Sequence, residues 1–158
     1  MNKEKISAFT LRIASSNGTQ LIAILYDIYK EYEEEAVAAF GEGDIDTATE
    51  CLKKCNEVLE HLQKDLNFSY KISKDLYALY DYAKRGIAKS IYLGNITGID
   101  QAKTVMDSLG EAFKEIASED ESAPLMKNTQ KVMAGATYGR YSLNENIMGD
   151  QSNRGFLA

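Results

Sequence analysis

Two thiols and a histidine on one segment can hold a metal or move electrons, so Cys51, Cys55 and His61 are weighed first. The cysteines stand four apart on a stretch that reads as helix, which gives them a common face but orients them poorly for a disulfide. A tetrahedral metal site needs two further ligands, and His61 is the only histidine in the chain. Two small core-facing thiols are the better reading. A histidine on a helical bundle can also carry a phosphoryl group, and Lys64 sits one turn beyond His61. Histidine phosphotransfer domains set a leucine two residues after the histidine and a small residue after the lysine. Here those places hold Gln63 and Asp65, and the aspartate would repel an incoming phosphoryl group. A di-iron bundle wants Glu-x-x-His, and Val58 stands where that glutamate belongs. The glycines never take phosphate-loop spacing beside a lysine. Glu33-Glu34-Glu35 points three ways around a helix and reads as a solvated face. The expectation is no enzyme, no cofactor and no metal.

Four amphipathic segments would have to position anything the chain binds. The first spans about residues 18–40, with Asn17 as N-cap and Gln20 at capping-box spacing. Leu21, Leu25, Ile28, Tyr32, Ala36 and Ala39 form its expected core stripe, with Ile22, Tyr26, Tyr29 and Phe40 as a second apolar line. The second, about 45–67, follows Asp44 as cap and carries Ile45, Ala48, Leu52, Cys55, Leu59, Leu62 and Leu66 at alternating spacings of three and four. The third follows Ser73 as expected N-cap and reaches about Leu93, with Leu76, Leu79, Tyr80, Ala83, Ile87 and Ser90 inward. The fourth, about 99–118, repeats the rhythm with Ile99, Ala102, Met106, Leu109, Phe113 and Ile116. No segment sustains alternation of period two, so no strand is expected. The fold class is all-α, an antiparallel up-down four-helix bundle, because each stripe must be buried against a neighbour. The division is an N-terminal arm (1–17), the bundle (18–118), an acidic linker with a short fifth helix from Leu125 (119–136), and a tail (137–158) with isolated apolar anchors such as Tyr138 and Phe156.

The chain has 158 residues and sets 18 basic against 24 acidic side chains, a net charge of -6. A phosphate-neutralising surface is therefore disfavoured, and no nucleic acid is expected as partner. No apolar run reaches the roughly 20 residues of a membrane span, so no membrane insertion is expected. The first residues lack the apolar centre of a signal peptide, which points to the cytoplasm. Tyrosine is the conspicuous surplus: ten, with no tryptophan. Tyr77, Tyr80, Tyr82 and Tyr92 all fall on the third helix, where Tyr80 points inward, Tyr77 and Tyr82 lie on opposite flanks, and Tyr92 points nearly outward. Tyrosine offers a large apolar area with a polar tip and suits a partly wet contact; a wide core stripe with hydroxyls reaching solvent accounts for the same pattern.

Asn17-Gly18-Thr19-Gln20-Leu21-Ile22-Ala23-Ile24-Leu25-Tyr26-Asp27 is similar to the first helix of the FliS family of flagellin export chaperones. Leu76-Tyr77-Ala78-Leu79-Tyr80-Asp81-Tyr82-Ala83-Lys84-Arg85 resembles that family's Leu-Tyr-x-Leu-Tyr-Asp-Tyr-x-x-Arg on helix three. The resemblance covers roughly residues 9–118. Asn17-Gly18 replaces a Ser-Pro entry, which keeps the cap and loses the proline. It implies a cytoplasmic chaperone that holds the disordered C-terminal segment of flagellin in apolar grooves until type III export, with flagellar export apparatus components as further partners. Client contact is then expected at Ile22, Tyr26, Tyr29, Tyr77, Tyr82, Arg85 and Ile91, and the arm's Ile6, Phe9, Leu11 and Ile13 are expected to cover a groove when the client is absent. The alternatives are phosphotransfer through His61 and a helical adaptor for another partner.

Overall fold

The computed structural model describes residues 1–126. It holds five helices: α1 (Lys3–Ala14), α2 (Gly18–Glu42), α3 (Ile45–Lys64), α4 (Ile72–Leu93) and α5 (Thr97–Glu119). There is no strand among the described residues. The tail (137–158) lies outside them, as does the short helix expected from Leu125, apart from two non-helical residues, Leu125 and Met126.

Helices α2 to α5 form the bundle. Each packs beside its neighbour in sequence and α5 closes the ring against α2, so α2 and α4 face each other diagonally. The order of contacts fixes direction. Asp27, Lys30 and Glu33 of α2 pair with Lys114, Asp107 and Lys103 of α5, an antiparallel register. Short joints impose the same alternation along the chain.

Local chemistry explains most of the boundaries. Asn17 Oδ1 accepts from Gln20 N at 2.8 Å while Gln20 Oε1 accepts from Asn17 N at 3.1 Å, so the capping box is formed. Gly43 ends α2 in the left-handed region with φ 77°, which a side chain would strain. Asp44 then accepts from Thr47 N and starts α3. Ser73 is not the N-cap expected of it. It lies inside the first turn of α4, buried, and its hydroxyl donates to Asn67 O at 2.6 Å. That bond stitches α4 to the loop after α3, which leaves the helix three residues earlier than the periodicity predicts. α5 begins at Thr97 because Ser90 Oγ accepts from Gly98 N and Ile99 N, capping it from the preceding helix.

The seams of α3, α4 and α5 lie largely where the spacing puts them, although Ile45 and Ile116 are exposed at helix ends. Ala36 and Ala39 of the expected α2 stripe are buried, but over the first half of the helix the stripe is displaced: Tyr26, Tyr29 and Glu33 are buried, while Leu21, Leu25, Ile28 and Tyr32 are half-buried. With α3, α5 and α1 all packing on it, α2 has little outer face over its first half, so periodicity alone could not choose the central line.

Residues 1–17 were expected as an arm without assigned structure, and most of them form α1. Asn2 caps it by accepting from Lys5 N. A 12-residue helix is marginal by itself. This one lies antiparallel along α2 and makes its helix-helix contact there alone.

Candidate partner-binding surfaces

The two tyrosines expected to touch a partner from α2 do not reach the surface. Tyr26 is 3% exposed and Tyr29 2%. Tyr26 stacks on Phe113 with ring centroids 5.3 Å apart, and its hydroxyl meets that of Tyr80 at 2.7 Å. Burial and that hydrogen bond push the Tyr26 hydroxyl far above the ordinary tyrosine value. Both residues are core and are withdrawn as contacts, because a partner could touch them only by opening the bundle. Ile22 is half-buried and packs against the core edge.

The α4 residues fare differently. Tyr77 and Tyr82 are exposed, Arg85 is exposed and pairs with Asp81 one turn back, and Ile91 is half-buried against the core. They do not converge on one groove. Gln63 of α3 donates to Tyr77 O, and the Tyr77 ring lies 6.0 Å from Phe68. Tyr82 leans the other way, its hydroxyl donating to Gln101 O on α5 at 3.1 Å. Tyr92, on the same helix, is 88% exposed. Because α2 and α4 are diagonal, Ile22 cannot share a groove with the outer face of α4.

Sequence reading missed a further apolar exposure. Phe68, Tyr70 and Ile72 stand in the α3–α4 loop and at the start of α4, all more than half exposed, and the Phe68 ring meets that of exposed Tyr77. Their signal was an apolar-polar-apolar run between two helices with no seam to use it. Toward the opposite end, Val37, Leu93 and Ile96 are also exposed.

On the other side of the molecule α1 is held by charge. The Met1 ammonium, Lys5 and Arg12 pair with Glu35, Glu31 and Asp27, three acids on one face of α2. Asp27 is shared with Lys114 of α5 at 3.0 Å. Phe9, Leu11 and Ile13 are half-buried and Ile6 is exposed, so α1 lies on α2 by a partial apolar face. Arg12 also sits 5.4 Å over the Phe9 ring.

A model of the family described as Flagellar protein FliS matches residues 4–120. The chain belongs to the FliS family. The match takes in α1 as well as the four bundle helices, which is more of the N-terminus than the motifs alone covered. FliS proteins are flagellar chaperones rather than enzymes, so the surfaces above are read for a protein partner. No curated protein matches the sequence.

The residues of the alternative chemistries lie as follows. His61, Lys64 and Asp65 are exposed at the end of α3. Cys51 and Cys55 are buried free thiols, and Cys55 Sγ lies 3.6 Å from Tyr29 O, in reach of a weak donated bond. Burial pushes the Cys55 thiol well up, which makes it a poor nucleophile. No helix among the described residues is long and apolar enough to cross a membrane. Glu33 is the real departure: the acidic run is not uniformly solvated, and this member is 2% exposed. Tyr26, Tyr29, Glu33 and Ala36 recur at spacings of three and four, so its seam position was there to be read.

Proposed function

We propose that the chain is a cytoplasmic flagellin export chaperone. It holds the disordered C-terminal segment of flagellin, prevents premature polymerisation, and presents the subunit to the flagellar type III export apparatus. The observation that supports this most is the aromatic outer side of α4: Tyr77, Tyr82 and Tyr92 with neighbouring Phe68, Tyr70 and Ile72 stay exposed on a bundle whose core is already closed. These rings lie outside the closed core and leave aromatic surface exposed along α4, and exposed apolar surface of this kind marks interaction sites.

A segment without fixed structure can lay short amphipathic helices on such faces, which bury its own assembly surfaces. Ordering it opposes binding by about 2–5 kcal/mol, so the contact must be extensive. In this reading Tyr77, Tyr82, Arg85 and Ile91 take the client on α4. Ile22 and the α2 face now under α1 take it on the opposite side, where α1 stands in for a client helix through Phe9, Leu11 and Ile13. A chain that wraps around the bundle satisfies both, which suits contacts that do not share one groove.

Calorimetry with a synthetic peptide of the flagellin C-terminus tests it. Binding with a large negative heat-capacity change is expected, weakened by Tyr77→Ala and Tyr82→Ala while helicity persists. Absence of binding to the intact chain would overturn the function; unchanged affinity in both variants would remove the α4 face.

A further inference from the structure

Helix α4 turns a basic line outward. Lys71, Lys74, Ala78, Tyr82, Arg85 and Lys89 recur at spacings of three and four on the side opposite buried Leu76, Tyr80 and Ile87, and all are exposed. Among the described helices α4 packs only on α3 and α5, so this line has no helix over it. Its cations are short of carboxylates. Lys71 and Lys74 meet none among the described residues, and Lys89 donates to the neutral Gln101 Oε1 at 3.3 Å. Arg85 has its exposed pair with Asp81 at 3.2 Å, the weak kind that exchanges easily. Elsewhere on the bundle Lys30, Lys54, Lys84, Lys103 and Lys114 all reach acids. The line also runs against the chain's net charge of -6. Helix α2, diagonal to α4, shows how this fold docks a helix of opposite charge: its Glu35, Glu31 and Asp27 take the Met1 ammonium, Lys5 and Arg12 of the α1 segment. Helix α4 presents the reverse charge.

We infer that the outer line of α4 takes an acidic amphipathic helix of a protein partner, its carboxylates in two groups about three turns apart. The spacing follows from the cations, which stand as Lys71 with Lys74 and as Arg85 with Lys89, the two groups separated by about 17 Å of helix. Between them Ala78 and Tyr82 offer apolar surface to a residue on the same face of the partner helix. Arg85 adds a planar fork that grips a carboxylate with two donors. The strip is one helix wide. Lys84, the next cation around α4, is turned to Glu60 of α3 at 3.4 Å, and exposed Asp75 stands on the other side. A membrane or a nucleic acid presents its anions over a broader front and would meet those acids too, whereas carboxylates along one helix face fit the strip. The strip is part of the α4 face assigned to the client above. That the acidic helix belongs to flagellin rests on that function; the strip's preference for acid does not.

A synthetic helical peptide with two glutamate pairs about three turns apart, and leucine between them on the same face, probes the strip without flagellin. Titrated into the full-length chain at low salt and followed by NMR, it is expected to shift resonances at Ala78, Tyr82, Arg85 and Lys89. The same peptide with glutamine for glutamate should bind about tenfold more weakly, since several exposed charge pairs are lost together. Lys74→Glu combined with Lys89→Glu should cost the glutamate peptide a similar factor and leave the glutamine peptide unchanged; both positions are exposed, so the fold is not at stake. No shifts along α4, or equal binding of the two peptides, overturns the inference. So does a result in which phosphatidylglycerol vesicles or a single-stranded oligonucleotide shift these resonances and the glutamate peptide does not. The flagellin C-terminal peptide, run on the same double variant, gives the second arm. A matching loss supports flagellin as the bearer. Unchanged flagellin binding, beside a loss for the glutamate peptide, overturns flagellin's use of the strip and supports its preference for acid. A flagellin peptide that binds neither form overturns the flagellin reading and leaves the glutamate peptide to decide the strip.

Discussion

The hydroxyls of Tyr26 and Tyr80 meet at 2.7 Å inside the bundle, joining the diagonal helices α2 and α4. Each tyrosine is the centre of a Leu-Tyr-Asp triplet, Leu25-Tyr26-Asp27 on α2 and Leu79-Tyr80-Asp81 on α4. These triplets carried the family resemblance, and what the tyrosines do is hold the core together. Removing one hydroxyl leaves the other buried without a partner, at about 1–3 kcal/mol. Tyr26→Phe and Tyr80→Phe are each expected to destabilise by that order, and the double variant by less than their sum. Urea titration of the four forms checks it; strictly additive losses would show that the pair does not interact.

The backbones of α4 and α5 approach closely at Gly86 and Gly98. A Cβ on Gly98 would stand 2.0 Å from Gly86 O and 2.9 Å from Ser90 N, so the helices could not keep their spacing. Gly98→Ala is expected to destabilise by about 3 kcal/mol through overpacking. Ser90→Ala should also destabilise, by about 1–3 kcal/mol, because it orphans the amides of Gly98 and Ile99. Thermal melts read both. A Gly98→Ala chain as stable as the parent would mean that the joint at residues 94–96 can open without loss.

Three of the four bundle seams were legible because each of those helices buries one stripe, and spacing of three and four marks a single stripe well. Helix α2 defeated the same reasoning. Packed by α1, α3 and α5, it has two apolar lines of comparable strength, and Tyr26 and Tyr29 of the line taken for a partner surface are core, together with Ala36 and Ala39 of the other. The status of Tyr26 could have been settled only by knowing that Phe113 and Tyr80 would meet it. Tyr77, Tyr82 and Tyr92 were placed on the correct flanks because α4 packs on two neighbours and keeps an outer face. The α1 helix was unreadable for another reason: it docks on α2 through a partial apolar face and through acids spaced four apart on α2, a relation between distant segments.

Glu33 sets a pH dependence with a definite sign. Burial pushes its carboxyl above the ordinary 4.5 and Asp107 adds to the push, while Lys103 and Lys30 offset part of it. The folded chain therefore binds this proton more tightly than the unfolded chain. Glu33's contribution to stability is full below 4.5 and is lost as pH rises through the folded value. Glu33→Gln should accordingly be more stable than the parent at neutral pH, with the difference closing as the solution is acidified toward 4.5. Denaturant titrations across that range check it. No difference at neutral pH would mean that Lys103 compensates the buried charge fully.

The docking of α1 should respond to salt and to acid. Its ion pairs with α2 are mostly exposed, each worth about 0.2–1 kcal/mol, and raising ionic strength from about 0.1 M to 1 M shortens the screening length from about 10 Å to 3 Å. Amide exchange in residues 3–14 should therefore quicken in high salt while the α3 core stays protected. Asp27 supplies the acid response. Burial alone would raise its carboxyl, but hydrogen bonds and charge from Arg12 and Lys114 outweigh it and hold the value below the ordinary 3.8. Its stabilisation is present above 3.8 and is lost as pH falls through the lower folded value, so α1 should loosen in that acid range. Arg12→Ala should quicken α1 exchange at neutral pH and blunt the acid response, since it removes one of the two cations that Asp27 answers. Protection of α1 that ignores salt, acid and Arg12→Ala alike would assign its hold to Phe9, Leu11 and Ile13 instead.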